Sequence, residues 1–219
     1  DALMAKVGAS DLPAIEKYNV LHELCVKRAQ FNDALVEALG LHLRAQVSSG
    51  EGGPFARFGD GGDTFVTAIP GQSFGVEVRV GDGSGAKLTL KSVALDSTVG
   101  AAVREVGGGG DVALGKGQTR DVSFAVKLPE DAPATRPPFT RSSDEQNYYR
   151  IADPAMRNAS LALAPLTAWA AADYDGVPVK LGEGVQTLHR VTGYGTVASS
   201  LGLSLMTRTR PKSPPTCST

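Results

Sequence analysis

The residues best suited to acid–base or metal chemistry are the three histidines, His22, His42 and His189, and their surroundings argue against both uses. A zinc site or a general-base pair needs further His, Cys or carboxylate groups at short, regular spacing on one face of an element. None of the three has such a neighbour. His42 and His189 fall on the polar phase of alternating segments and His22 lies in a helical pattern, so all three read as surface or half-buried histidines. The run Gly110-Asp111-Val112-Ala113-Leu114-Gly115-Lys116-Gly117 approaches a phosphate-cradling loop. It ends on glycine where the hydroxyl that would bind magnesium is needed, and alternating residues rather than a helix follow it, so it reads as a turn. Asp60, Asp63 and Asp82 sit in glycine-rich stretches where calcium could find oxygen ligands. Too few such ligands are in view, and aspartate beside glycine is ordinary turn chemistry. There is no Gly-x-Ser-x-Gly nucleophile elbow. Asn158-Ala159-Ser160 is a glycosylation-type triplet, meaningful only in a secreted eukaryotic chain.

Four aromatic residues remain as candidates for glycan or interdomain contact: Tyr148, Tyr149, Trp169 and Tyr174. A flat apolar ring face matches the C–H side of a pyranose, while the indole N–H or phenol O–H stays available to a polar partner. The competing account places Trp169 in the core and the tyrosines at a seam between modules.

The elements that must position these residues follow from periodicity. Ile15, Tyr18, Leu21, Cys25, Phe31, Leu35 and Ala38 recur at three- and four-residue spacings, predicting a helix from Pro13 to Leu39. Asp11 is the expected N-cap, Pro13 suits the first turn and Gly40 stops the helix. At 1.5 Å per residue it would span roughly 40 Å, and a break near its middle is expected. The period then becomes two at Leu41, Leu43, Ala45 and Val47. After a glycine-rich loop over 48–63, short alternating runs follow, punctuated by Pro70-Gly71 and by Gly81-Asp82-Gly83-Ser84-Gly85. These runs include Phe74 to Val80, Leu88 to Leu95 and Val122 to Leu128. Asp175-Gly176 predicts a tight hairpin. The expected fold class is therefore mainly β with an N-terminal helical segment: an Ig-like β-sandwich plus a second, incomplete β module. The expected divisions are a helical connector at 1–40, the sandwich at 41–130, a proline-rich linker at 131–147, the second module at 148–206 and a disordered tail at 207–219.

Composition narrows the function classes. The formal net charge is −1 with no long run of one sign, so no basic footprint for nucleic acid is present. No apolar stretch approaches the roughly 20 residues of a membrane span. The two cysteines, Cys25 in the helical pattern and Cys217 in a Pro/Ser/Thr-rich tail, suggest neither a bridge nor a metal site. With Asp1 first and no leader pattern, the chain reads as a piece whose start lies upstream.

Several stretches together resemble the post-catalytic region of large PIG-L (LmbE-like) deacetylases. The first runs from Arg28-Ala29-Gln30-Phe31-Asn32-Asp33-Ala34-Leu35 into Leu39-Gly40-Leu41-His42-Leu43. The second is Pro70-Gly71-Gln72-Ser73-Phe74 with its following valines. The third is Arg136-Pro137-Pro138-Phe139-Thr140-Arg141 with Glu145-Gln146-Asn147-Tyr148-Tyr149 and Ala152-Asp153-Pro154. The fourth is Gly176-Val177-Pro178-Val179-Lys180-Leu181 with Val185-Gln186-Thr187. The resemblance ends near Leu205, after which the family pattern would continue as β structure. It implies an upstream α/β catalytic domain in the same polypeptide that removes acetyl groups from N-acetylglucosamine-like sugars, with zinc held around an Ala-His-Pro-Asp-Asp-Glu type motif. That motif is absent from this sequence, so no catalytic residue and no cofactor is assigned here, and zinc is expected only in the catalytic domain. The resemblance also favours an extracytoplasmic setting. This region would then space the enzyme domain or present a glycan. The alternative is a stand-alone carbohydrate-binding or adhesion module, and a third reading, an independent hydrolase, predicts turnover of acetylated sugars.

Overall fold

Residues 1–48, 64–108, 110–151, 153–156 and 163–204 are described by a computed structural model of the chain. Two helices lead, α1 (Ala2–Gly8) and α2 (Ala14–Ala38). The strands of the first half are β1 (Leu41–Val47), β2 (Thr67–Ala68), β3 (Ser73–Asp82), β4 (Leu88–Ser97), β5 (Ala102–Gly107), β6 (Val112–Leu114) and β7 (Thr119–Lys127). Those of the second half are β8 (Phe139–Thr140), β9 (Arg150–Ile151), β10 (Leu166–Tyr174), β11 (Val177–Gly184), β12 (Gln186–Val191), β13 (Gly195–Ser200) and β14 (Gly202–Leu203).

The helix expected from Pro13 to Leu39 is present and runs unbroken, so the mid-helix break does not occur. Nothing in its interior, neither proline nor glycine, would force one. The expected cap is also corrected: Pro13, with φ −52° and ψ 145°, occupies the N-cap and makes no side-chain cap bond, while Asp11 lies outside the helix. Gly40 adopts φ +57°, the left-handed conformation that ends a helix without a Cβ clash. The short helix α1 had no periodic signal of its own.

Alternation from Leu41 onward builds two packed sheets, one of six strands in the order β13-β12-β1-β3-β7-β5 and one of four in the order β11-β10-β4-β6. Side chains that point inward, such as Ala45, Val76, Val78, Val122, Phe124 and Val126 from the larger sheet, meet Leu95, Leu166 and Ala168 from the smaller one. A second cluster near the helix joins Leu39, Leu41 and Val80 to Leu88, Leu90, Ala170, Val179 and Leu181. The fold is thus a β-sandwich with an N-terminal helical arm, together with two further two-stranded pairs, β14-β2 and β8-β9.

The division into two modules is not how the strands pair. β10, from the expected second module, lies between β4 and β11 and is antiparallel to both, while β12 runs parallel to β1 through Gln46 and Gln186. Residues 166–203 therefore complete the sheets begun by 41–127, and the proline-rich stretch assigned as a linker crosses the surface of one sandwich and carries the β8-β9 ribbon. The physical reason is that Leu166, Ala168, Ala170 and Ala172 present a fully buried stripe that only β4 and the first-half core can cover.

Turn chemistry matches the sequence signals. At Ile69-Pro70-Gly71-Gln72 the Gln72 N–H donates to the Ile69 carbonyl at 3.1 Å and Gly71 has φ +79°, a type II turn with proline and glycine in their preferred places. Asp175 and Gly176 have φ +51° and +79°, the doubly left-handed pair that joins β10 to β11. The loop from Gly115 to Gln118 closes a turn into β7, with no helix behind it.

On the solvent face of the larger sheet Arg79 and Asp121 stand directly opposite on β3 and β7 and meet in two hydrogen bonds of 2.7 and 3.0 Å. The Arg79 hydrogen bond holds the Asp121 carboxyl below the usual carboxylate range. Its stabilisation is therefore full above the ordinary aspartate value, about 4, and fades as pH falls through the lowered value. Both side chains are about half exposed, at 53% and 54%, so solvent screening keeps the effect to under about 1 kcal/mol. Asp121→Asn is expected to lower stability by that amount at pH 7 and by progressively less below pH 4, converging on the parent in acid; urea titrations at pH 7, 5 and 3 measure it.

Candidate functional site

The smaller sheet ends at β11, whose outer side offers unpaired backbone groups. Two devices cover it. Pro178 has no N–H to expose. At Lys180 the side chain of Asn32, near the C-terminal end of α2, acts as a substitute strand: its Nδ2 donates to the Lys180 carbonyl at 2.8 Å, and the Lys180 N–H donates to its Oδ1 at 2.9 Å. A carboxamide is the side chain that carries one donor and one acceptor in this planar arrangement, and the two backbone partners fix which way it points.

This seat leaves a groove of about 700 Å³ between α2 and the sheet edge. Arg28, Phe31, Asn32 and Asp33 line its helical wall, with Trp169, Val177, Pro178, Lys180 and Gly182 across from them. Trp169 and Gly182 are directly opposed on β10 and β11, and the six-membered ring of the indole lies across Gly182 so closely that a Cβ there would come within 2.3 Å of Cζ3. The Lys180 ammonium stands 4.2 Å above the Trp169 ring centroid, a cation–π contact. Arg28 is paired with Asp1 at 3.0 Å, and Asp33 accepts from Asn32 Nδ2 at 3.3 Å. The groove is thus mainly apolar, with a few charged side chains on its two walls.

The other three aromatic candidates lie elsewhere. Tyr174 is half-buried against the cluster of Leu39, Leu41 and Val80. Tyr148 and Tyr149 flank the β8-β9 ribbon, exposed at 55% and 59%. Tyr149 meets Phe139 edge to face at 4.9 Å under Arg141, and Tyr148 lies under Arg150. Trp169 is brought beside polar groups of the neighbouring strand and of α2, whereas Tyr148 and Tyr149 meet arginines of their own ribbon. Asn32, Asp33, Arg28 and Lys180 were not singled out from sequence. The usable signal was a glycine two positions from a lysine opposite the tryptophan, and it becomes visible only once the hairpin register about Asp175-Gly176 is known.

The histidines stay apart. His22 stacks on Tyr18 with centroids 6.1 Å apart, the His42 ring covers the Cα of Gly81, and His189 Nδ1 is buried without a hydrogen-bond partner. Asp82 is fully buried, its Oδ1 accepting from Ser84 N, Ser84 Oγ and Gly85 N at 2.8, 3.0 and 3.3 Å, and its Oδ2 has no partner. It organises the turn rather than a ligand set: among the described residues no group of three His, Cys, Asp or Glu could hold a metal ion. Asp60, Asp63, Asn158 and Cys217 lie outside the described residues. No described helix is long and apolar enough to cross a membrane.

No protein-family model matches the chain. No curated protein matches it either. Among solved structures it is similar to Spo0M, a sporulation control protein from Bacillus subtilis, at 10% identity and a TM-score of 0.31, over 65% of this chain and 47% of that one. The chain spans about half the length of that protein, and at this level of likeness nothing is carried across.

Two substitutions probe the groove. Asn32→Asp keeps the acceptor but turns an oxygen toward the Lys180 carbonyl; a loss of about 1–2 kcal/mol is expected, larger than for Asn32→Ala, in urea unfolding, with faster amide exchange at Lys180. Gly182→Val drives the indole off β11. Because Trp169 is the one tryptophan, its emission is expected to shift to the red, and an unchanged spectrum would contradict the packing.

Proposed function

We propose that this chain is a non-catalytic accessory region of a PIG-L type, zinc-dependent de-N-acetylase, and that it presents a glycan along the α2–β11 groove beside the enzyme domain. The observation that carries the glycan part is Trp169, laid flat on an edge strand, with the Asn32 carboxamide, Asp33 and Lys180 around it. A sugar needs such a combination: an apolar plate for its C–H face and planar or charged groups for its hydroxyls. The helical arm supports attachment to another folded surface. Ile15, Tyr18, Val26 and Phe31 of α2 are 72%, 68%, 37% and 74% exposed, more apolar surface than one arm has reason to leave in water. In this reading the sandwich is the rigid spacer, the arm meets the enzyme domain, and zinc with its activated water belongs to that domain. A second reading, a stand-alone carbohydrate-binding module, is favoured by the exposed Tyr148, Tyr149 and Phe139 on the ribbon, a second aromatic patch that needs no enzyme beside it.

The purified chain is expected to be retained by at least one member of a panel of immobilised neutral and charged glycans, to lose that retention on Trp169→Ala, and to release no acetate from N-acetylated oligosaccharides with or without added zinc. Zinc-dependent acetate release would make it a hydrolase, and retention by no glycan would remove the presenting role.

A further inference from the structure

We infer that the α2–β11 groove selects a saccharide bearing a carboxylate, through the ammonium of Lys180. The inference rests on the glycan reading above and adds the class of sugar.

One face of the Trp169 indole is closed by the backbone at Gly182, which lies too near to admit even a Cβ. The Lys180 ammonium stands over the ring, 4.2 Å from its centroid, so a pyranose brought to the indole meets that charge. A sugar that stacks on the ring beneath Lys180 must move that ammonium aside. Arg28, the other cation of the groove, is already paired with Asp1 at 3.0 Å. Lys180 has no carboxylate partner among the described residues, and its ammonium stands over the Trp169 ring. A neutral sugar takes away the cation–π contact and returns to the ammonium only uncharged hydroxyl acceptors. A uronate gives it a charge-assisted hydrogen bond while its ring takes over the indole face. Lysine suits this exchange because its charge rides on a flexible four-carbon stem, whereas its backbone is held in place by Asn32. Asp33 on the opposite wall accepts hydrogen bonds from hydroxyls and opposes a second anionic group, so the fitting ligand carries isolated carboxylates among neutral residues rather than dense negative charge.

The test uses the intact chain and its single tryptophan. Three probes are titrated: a hyaluronan hexasaccharide, in which uronate and N-acetylhexosamine alternate; the same oligosaccharide with its carboxyls reduced to alcohols; and chitohexaose. Binding is followed by tryptophan emission and calorimetry. The acidic probe is expected to bind at least tenfold more tightly than its reduced form, with the difference shrinking as salt is added. Lys180→Gln is expected to bring the two probes within threefold of one another, and Lys180→Arg to retain most of the preference. Equal binding of the acidic and reduced forms by the parent chain would overturn the inference and leave the glycan reading standing. Failure of all three to bind would overturn the inference, and the panel experiment then decides the glycan reading separately. A preference that survives in Lys180→Gln would remove Lys180 from its role.

Discussion

A β-sheet that is not closed into a barrel has two edges, and each exposes a row of backbone groups that must be paired, blocked or left to water. In this protein the edge at β11 is handled by Pro178, which has no N–H, and by the side chain of Asn32, whose carboxamide meets both backbone groups of Lys180. The contact does more than blunt an edge. Because Asn32 sits on α2, satisfying the edge also fixes where the helix ends against the sandwich, and Leu35, Val36 and Leu39 follow it down onto the core. The groove lies between this helix and the strand edge, with Asn32 in its wall. Trp169 can lie flat there because the residue across from it is glycine.

Behind that edge the sandwich is held by contacts between residues far apart in sequence. Val80 and Leu88 pack with Ala170 and Leu181, and Val76 and Val122 with Leu166, Val185 and Leu203. Neither half of the chain can bury its apolar faces alone, since β10 fills the space between β4 and β11. Such non-local pairing makes the two halves one cooperative unit, so a weakness at β10 or β12 is felt by the whole sandwich. The small side chains of β10, Ala168, Ala170 and Ala172, bring the sheets close and leave little room for a larger residue.

Local signals were legible from sequence wherever the physics is local. The alternation of Leu41 to Val47, the Pro70-Gly71 turn, the Asp175-Gly176 hairpin and the left-handed Gly40 each follow from a few neighbouring residues, and each is present. The module boundary was not legible, because a proline-rich crossing within one sandwich has the same composition as a linker between two. The groove was hidden for a related reason. Trp169 was visible as a flat aromatic, but the groove it lines also needs Asn32, well over a hundred residues away, and Gly182, whose meaning depends on strand register. Asn32 in particular gave no signal, since an asparagine on a helix ordinarily faces water.

The arm carries the remaining argument. α2 is 25 residues long, and none of its residues is buried. Its start lacks a side-chain cap, and α1 is tied to it by polar contacts, Lys17 Nζ to the Gly8 carbonyl and Arg28 to Asp1, both exposed. In folded proteins most helical stability comes from packing an apolar face, not from intrinsic propensity. Here that packing is confined to the last turns, while Ile15, Tyr18 and Val26 extend along the helix away from the sandwich. A helix of this kind is stabilised fully only when its exposed apolar residues meet another surface, and the groove lies toward its seated end. The same helix thus supplies both a wall of the groove and a stretch of apolar side chains left unpacked by the sandwich.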